Sequence, residues 1–93
     1  MHYEIASTHQ FEKDVRLAKK RGFDITKLTS IVEKLAKGKP LPAKYKDHPL
    51  SGEFTGKREC HIQPDWLLVY KKEETIQLIK LVRTGRHADL FDQ

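Results

Sequence analysis

A chain of 93 residues with 18 Lys and Arg against 13 Asp and Glu has room for one compact core and a net charge of +5, so we expect a single domain over residues 1–93 whose surface attracts polyanions such as RNA. Its one cysteine, Cys60, excludes an internal disulfide and a cysteine-rich zinc site. The start of the chain lacks the basic and apolar stretches of a signal peptide, and no run approaches the roughly 20 apolar residues of a membrane span, so a soluble cytoplasmic protein with no membrane partner is expected.

Tyr3 to Ala6 is a short β-prone segment. Ser7 followed three residues later by Gln10 has capping-box spacing, with Ala6 and Phe11 placed as a hydrophobic staple, and predicts a helix starting at Thr8. Phe11, Val15 and Ala18 fall on one stripe of that helix until Gly22 stops it. Asp24 then caps a second helix, in which Ile25, Leu28, Ile31, Val32, Leu35 and Ala36 follow helical spacing before Gly38 and Pro40 end it. From Pro40 to Gly56 the prolines, glycines and lysines predict a long loop that carries His48.

Three strands follow, Lys57 to Ile62, Trp66 to Lys72 and Thr75 to Arg83, with turns at Pro64-Asp65 and Lys72-Glu73-Glu74. The run Trp66-Leu67-Leu68-Val69-Tyr70 is apolar on both faces, as a central strand covered on both sides would be. Gly85 breaks the third strand, and Arg86 to Phe91 form a last helical turn. The order β-α-α-β-β-β predicts an α+β fold, two helices packed on one face of a small, mainly antiparallel sheet, with the opposite face left for a ligand.

Period-2 alternation turns Cys60 and Ile62 toward the helices and Glu59 and His61 away from them. Asp65 lies just past that strand, Arg83 at the far end of the third and His87 beyond it, so a meander gathers them at one rim with the His48 loop folded over it. Imidazole, with an unperturbed pKa of about 6.5, both accepts and donates protons near neutral pH, and guanidinium holds phosphate oxygens with a fork of donors. These are the parts of a metal-free RNA cleavage. His48 or His61 serves as general base, His87 as general acid and Arg83 as the charge stabiliser, while Asp65 orients or charges a histidine. Separations of 13 and 26 residues between the three histidines match no compact zinc motif, so neither a metal nor another cofactor is expected. Phe91 is placed to stack a base, with Arg86 and Lys46 as further RNA contacts.

The words Tyr45-Lys46-Asp47-His48-Pro49-Leu50-x-Gly52, Arg58-x-x-His61-x-x-Pro64-Asp65-Trp66-x-Leu68-x-Tyr70 and Arg83-Thr84-Gly85-x-His87-x-x-Leu90-Phe91 resemble the YafQ branch of the RelE-type toxins, the toxin halves of bacterial type II toxin-antitoxin modules. The resemblance implies a RelE-like fold and a ribosome-dependent endoribonuclease that cuts messenger RNA in the A site of the 30S subunit, against ribosomal RNA, and halts translation. It also implies a cognate antitoxin from the same operon, through which alone the toxin meets operator DNA. The site it implies is His48, His61, Asp65, Arg83, His87 and Phe91. The rival reading is a non-catalytic basic RNA-binding or corepressor module on the same surface, since a fold does not compel activity.

Overall fold

The computed structural model describes residues 2–91, so Met1, Asp92 and Gln93 lie outside the described residues. Its elements are β1 (Glu4–Ser7), α1 (His9–Lys20), α2 (Ile25–Ala36), β2 (His48–Pro49), β3 (Arg58–Gln63), β4 (Trp66–Glu73), β5 (Leu78–Gly85) and α3 (His87–Phe91), with single 3-10 turns at Ala43–Tyr45 and Gly52–Phe54. The strands form one sheet in the order β1-β5-β4-β3-β2, parallel between β1 and β5 and antiparallel elsewhere.

The apolar stripes of α1 and α2 dictate which face of the sheet is covered. Phe11, Ala18, Leu28, Ile31 and Leu35 pack with Cys60, Ile62, Trp66, Leu68, Tyr70, Ile79 and Leu81 into the main core. β4 is the middle strand, and Trp66 through Tyr70 are all buried, as a run apolar on both faces requires. On the other face Leu67, Val69 and Leu90 form a smaller cluster, shielded by Leu50, Phe54, Val82 and Phe91. That face is therefore only partly left open, because α3 and the turn Gly52–Phe54 cover one part of it.

Polar groups carried into the interior are partnered. Trp66 Nε1 donates to Thr84 Oγ1 at 3.0 Å, and that hydroxyl donates to the Leu67 carbonyl at 2.7 Å. A buried indole N–H left unpaired would cost about 1–3 kcal/mol, so this chain of bonds fixes the end of β5 against β4.

Three local expectations need correction, the first being the third strand, which begins at Leu78 rather than Thr75 and runs through Gly85 because residues 74–77 form the turn. The cap of α1 is Thr8, whose hydroxyl accepts from Phe11 N at 2.9 Å and donates to the Val82 carbonyl at 2.8 Å. Ser7 is held in β1 opposite Leu81, and its hydroxyl donates to Glu12 instead. The segment Pro40 to Gly56 is not one long loop either. It holds both 3-10 turns and β2, which pairs His48 with Glu59 and Pro49 with Arg58. Asp47 anchors that strand by accepting from Tyr70 Oη at 2.7 Å and Arg58 Nε at 3.2 Å.

Candidate active site

The register of the sheet assembles the site. His48, Glu59, Val69 and Arg83 lie side by side across β2, β3, β4 and β5, and His61, Leu67 and Gly85 form the next row on the same face. Within the first row, His48 Nε2 lies 3.1 Å from Glu59 Oε1, and His61 Nε2 lies 3.5 Å from the same oxygen. Glu59 is only 4 % exposed, so a nearly buried carboxylate underlies two imidazoles that face solvent more openly. Burying a charge is tolerated where it is paired.

The remaining members are positioned by α3. Gly85 ends β5 with a φ of 156°, and a Cβ there would meet Asp89 Cβ and Oδ2 at 3.3 Å, so any other residue would both strain the backbone and crowd α3. Asp89 accepts from Arg86 N at 3.0 Å and from Arg21 Nη1 at 2.7 Å, tying α3 to the end of α1. The Arg21 hydrogen bond and then that of the Arg86 N–H hold the Asp89 carboxyl below its ordinary range. So placed, His87 stands with its ring centre 6.0 Å from His61 and 5.8 Å from Phe91, while His48 is 6.4 Å from His61. Asp65 approaches His87 from the β3–β4 turn, its Oδ1 3.6 Å from Nδ1 and accepting from the backbone N–H at 3.4 Å. Phe91 is half-buried and meets Phe54 edge-on at 5.4 Å.

Thus His48, His61, Asp65, His87 and Phe91 come together in one continuous patch. Arg83 shares the sheet row of His48 and Glu59, but its guanidinium is drawn to α1. Its Nε donates to Asp14 Oδ2 at 2.8 Å and its Nη2 to Asp14 Oδ1 at 3.3 Å. The cause is a one-residue bulge: Val69 pairs with Arg83 and Tyr70 with Leu81, leaving Val82 over and re-aiming the end of β5. Arg86 is exposed beside His87, and Lys46 is exposed at a left-handed φ of 50° just before Asp47. His48 is not on a loop folded over the site but on an edge strand beside Glu59.

Alternation along the sequence places Glu59 on the face of His61 without giving it a part in the site. Asp14 carries one sequence signal, a carboxylate on the Phe11–Ala18 stripe of α1, whereas Phe54 carries none. His48, Glu59 and His61 offer one ligand atom each within 4.8 Å of one another, a grouping made by strand pairing that sequence separation does not reveal.

A small five-stranded sheet with two helices behind it is the RelE-like fold, and known proteins of that fold resemble this chain closely. The family model described as "Bacterial toxin of type II toxin-antitoxin system, YafQ" matches residues 3–92. The mRNA interferase toxin YafQ of Escherichia coli K12 is 47% identical over 89 residues, covering 95% of both chains. The crystal structure of the E. coli DinJ-YafQ toxin-antitoxin complex superposes with a TM-score of 0.89 at 44% identity, covering 98% of this chain and 99% of that one. A metal-bound toxin from Helicobacter pylori gives the same TM-score and identity over 98% of this chain and all of that chain, 100%. The chain belongs to the YafQ family of type II toxins.

Proposed function

We propose that this chain, acting as a single toxin domain, is a ribosome-dependent mRNA interferase that cuts message in the decoding site, and that a cognate antitoxin encoded beside it silences it in the cytoplasm. The observation that carries the reading is a run of three neighbouring imidazoles on an accessible sheet face, two of them, His48 and His61, over one buried carboxylate. The E. coli relative's description as an mRNA interferase and its complex with the antitoxin DinJ support the same reading. Contact with operator DNA comes only through the antitoxin. Among the described residues no helix is long and apolar enough to cross a membrane.

The chemistry is that of RNA itself. The 2'-oxygen attacks the adjacent phosphorus while the bond to the 5'-oxygen breaks, leaving a 2',3'-cyclic phosphate and a 5'-hydroxyl. One group removes the 2'-proton and another protonates the departing 5'-oxygen. Hydrogen bonding separates the candidates for base. Both nitrogens of His48 face acceptors, Glu59 Oε1 and the Pro49 carbonyl, each at 3.1 Å, so neither is left open toward a substrate hydroxyl. His61 presents only Nε2 to Glu59, which leaves Nδ1 as the acceptor when Nε2 carries the proton. We therefore assign the base to His61, the acid to His87 and electrostatic stabilisation of the phosphorane to His48, with Arg83, held beside the patch by Asp14, contributing through Nη1, the nitrogen that Asp14 does not hold. Asp65 orients His87. Phe91, with Arg86 and Lys46, holds the flanking RNA.

The test is His87→Ala. It should leave the fold intact, because the side chain is exposed, and lower the cleavage rate on ribosomes by roughly 10²–10⁴, the usual worth of a general acid. A folded variant that cuts and arrests growth like the unmutated protein removes His87 from the mechanism.

A second reading concerns the same donors. Their 4.8 Å grouping suits a transition-metal ion, and a relative is described as metal-bound. An ion on His48, Glu59 and His61 would occupy the base and act as an inhibitor. Calorimetry with Zn²⁺ or Cu²⁺ should then find one site that His61→Ala removes, and added ion should slow cutting until it is chelated; heat-silent titrations would dismiss it.

A further inference from the structure

His61 also lines a cavity of about 720 Å³ that opens between the N-terminal half of α2, the turn Ala43–Tyr45 and the last residues of β3. It exists because β2 is only two residues long. It pairs with Arg58 and Glu59 and, among the described residues, leaves the outer side of Cys60 to Gln63 without a strand partner, so the 3-10 turn stands beside this edge in its place. The size falls within the ~300–1,000 Å³ of small-ligand pockets.

Its lining has the chemistry of a polyanion site. Lys27, Lys44 and Lys46 border it, all exposed, against one carboxylate, Asp24. That carboxylate is already committed, since it caps α2 by accepting from the Thr26 N–H at 3.0 Å and from the Thr26 hydroxyl. Lys46 is carried into place by its left-handed backbone, a conformation that residues with a Cβ rarely adopt. Tyr45 supplies an aromatic wall with the Lys44 ammonium 5.1 Å from its ring centre, and Gln63 offers an amide. Lysines along a groove with an aromatic between them are how proteins track a single RNA strand.

We propose that this groove holds the message nucleotide on one side of the scissile phosphate, with its phosphate among Lys27, Lys44 and Lys46 and its base against Tyr45. The inference rests on the ribonuclease reading of the histidine site and adds a path to it. The strand runs from the Phe54–Phe91 wall beside His87, past His61 where it is cut, and into the α2 groove. His61 belongs to both the reacting cluster and the groove, which is what makes the two continuous.

The experiment is single-turnover cleavage with the double variant Lys27→Glu/Lys44→Glu, two exposed positions whose change leaves the core untouched. The toxin concentration giving half the maximal rate on message-filled ribosomes should rise roughly tenfold or more, as lost phosphate contacts predict, with the plateau rate within about twofold of the unmutated protein. Binding to ribosomes whose message ends before the decoding site should be unchanged, and Lys27→Arg/Lys44→Arg should restore half-saturation. Equal weakening on both kinds of ribosome assigns the lysines to ribosomal RNA and overturns the proposal. So does an unchanged half-saturation, or a fall confined to the plateau. If the unmutated protein itself does not cut, the ribonuclease reading fails first, and the control shows it.

Discussion

Replacing Glu59 by Gln removes one charge from beneath the two imidazoles and little else. The side chain keeps its shape and an oxygen that can accept from one of them. When His61 takes the 2'-proton it becomes a cation 3.5 Å from Glu59 Oε1. At an effective dielectric near 20, a full charge pair at that distance gains ~5 kcal/mol before desolvation and screening are subtracted. Glu59 is nearly buried and the His61 side chain is 19 % exposed, so screening is partial. At the low end of the couplings found for close, partly desolvated charge pairs, the net is about 1.5–3 kcal/mol. At 1.36 kcal/mol per tenfold, Glu59→Gln should slow cutting roughly ten- to hundredfold. Single-turnover cleavage on saturating ribosomes is the assay, because a charge that acts on the transition state lowers the plateau and leaves half-saturation alone. A folded Glu59→Gln protein with an unchanged plateau refutes the argument that this carboxylate supports the reacting histidine. A loss confined to ribosome affinity refutes it as well.

Arg83→Lys should lower the plateau rate even though charge is retained, because an ammonium cannot reproduce the two-pronged contact with Asp14 that sets the guanidinium's position; normal single-turnover cutting by this variant would make Arg83 a docking residue. Asp89→Asn should destabilise the protein above the ordinary aspartate pKa of about 4, since a carboxyl held low contributes stability there and loses it as pH falls through its lowered folded value. Melting curves of the two proteins should therefore converge in acid, and a gap that widens in acid would reverse the assignment. Cys60, fully buried with its thiol pushed up to about 12 by burial and then by Asp47 and Glu59, should resist thiol reagents at pH 8 until denaturant is added. Rapid labelling of the folded protein would contradict that placement.

What the sequence made legible was what periodicity controls. The spacing of Leu28, Ile31 and Leu35 marked the buried stripe of α2, and the apolar run from Trp66 marked the central strand. Alternation along β3 correctly separated Cys60 from His61. The features that stayed hidden depend on which segments meet. A strand of two residues has no alternation to detect, so the pairing of His48 with Glu59 was invisible, and with it the significance of Glu59. Asp14 stands three residues after Phe11 and four before Ala18, a carboxylate on the buried stripe of α1 whose partner the sequence does not name. Only its packing against Arg83, 69 residues away, turns it into the buried partner of a guanidinium. Thr8 displaced Ser7 as cap because the strand ladder had already claimed Ser7.

The central claim is that the histidine face cuts RNA through its own 2'-hydroxyl, and the ends left on the message report this directly. Message cut on ribosomes should be recovered with a 2',3'-cyclic phosphate on the upstream fragment and a 5'-hydroxyl on the downstream one, at a rate that zinc chelation does not change. A 3'-hydroxyl and a 5'-phosphate, or cutting that stops when zinc is chelated with ribosomes intact, would contradict the account.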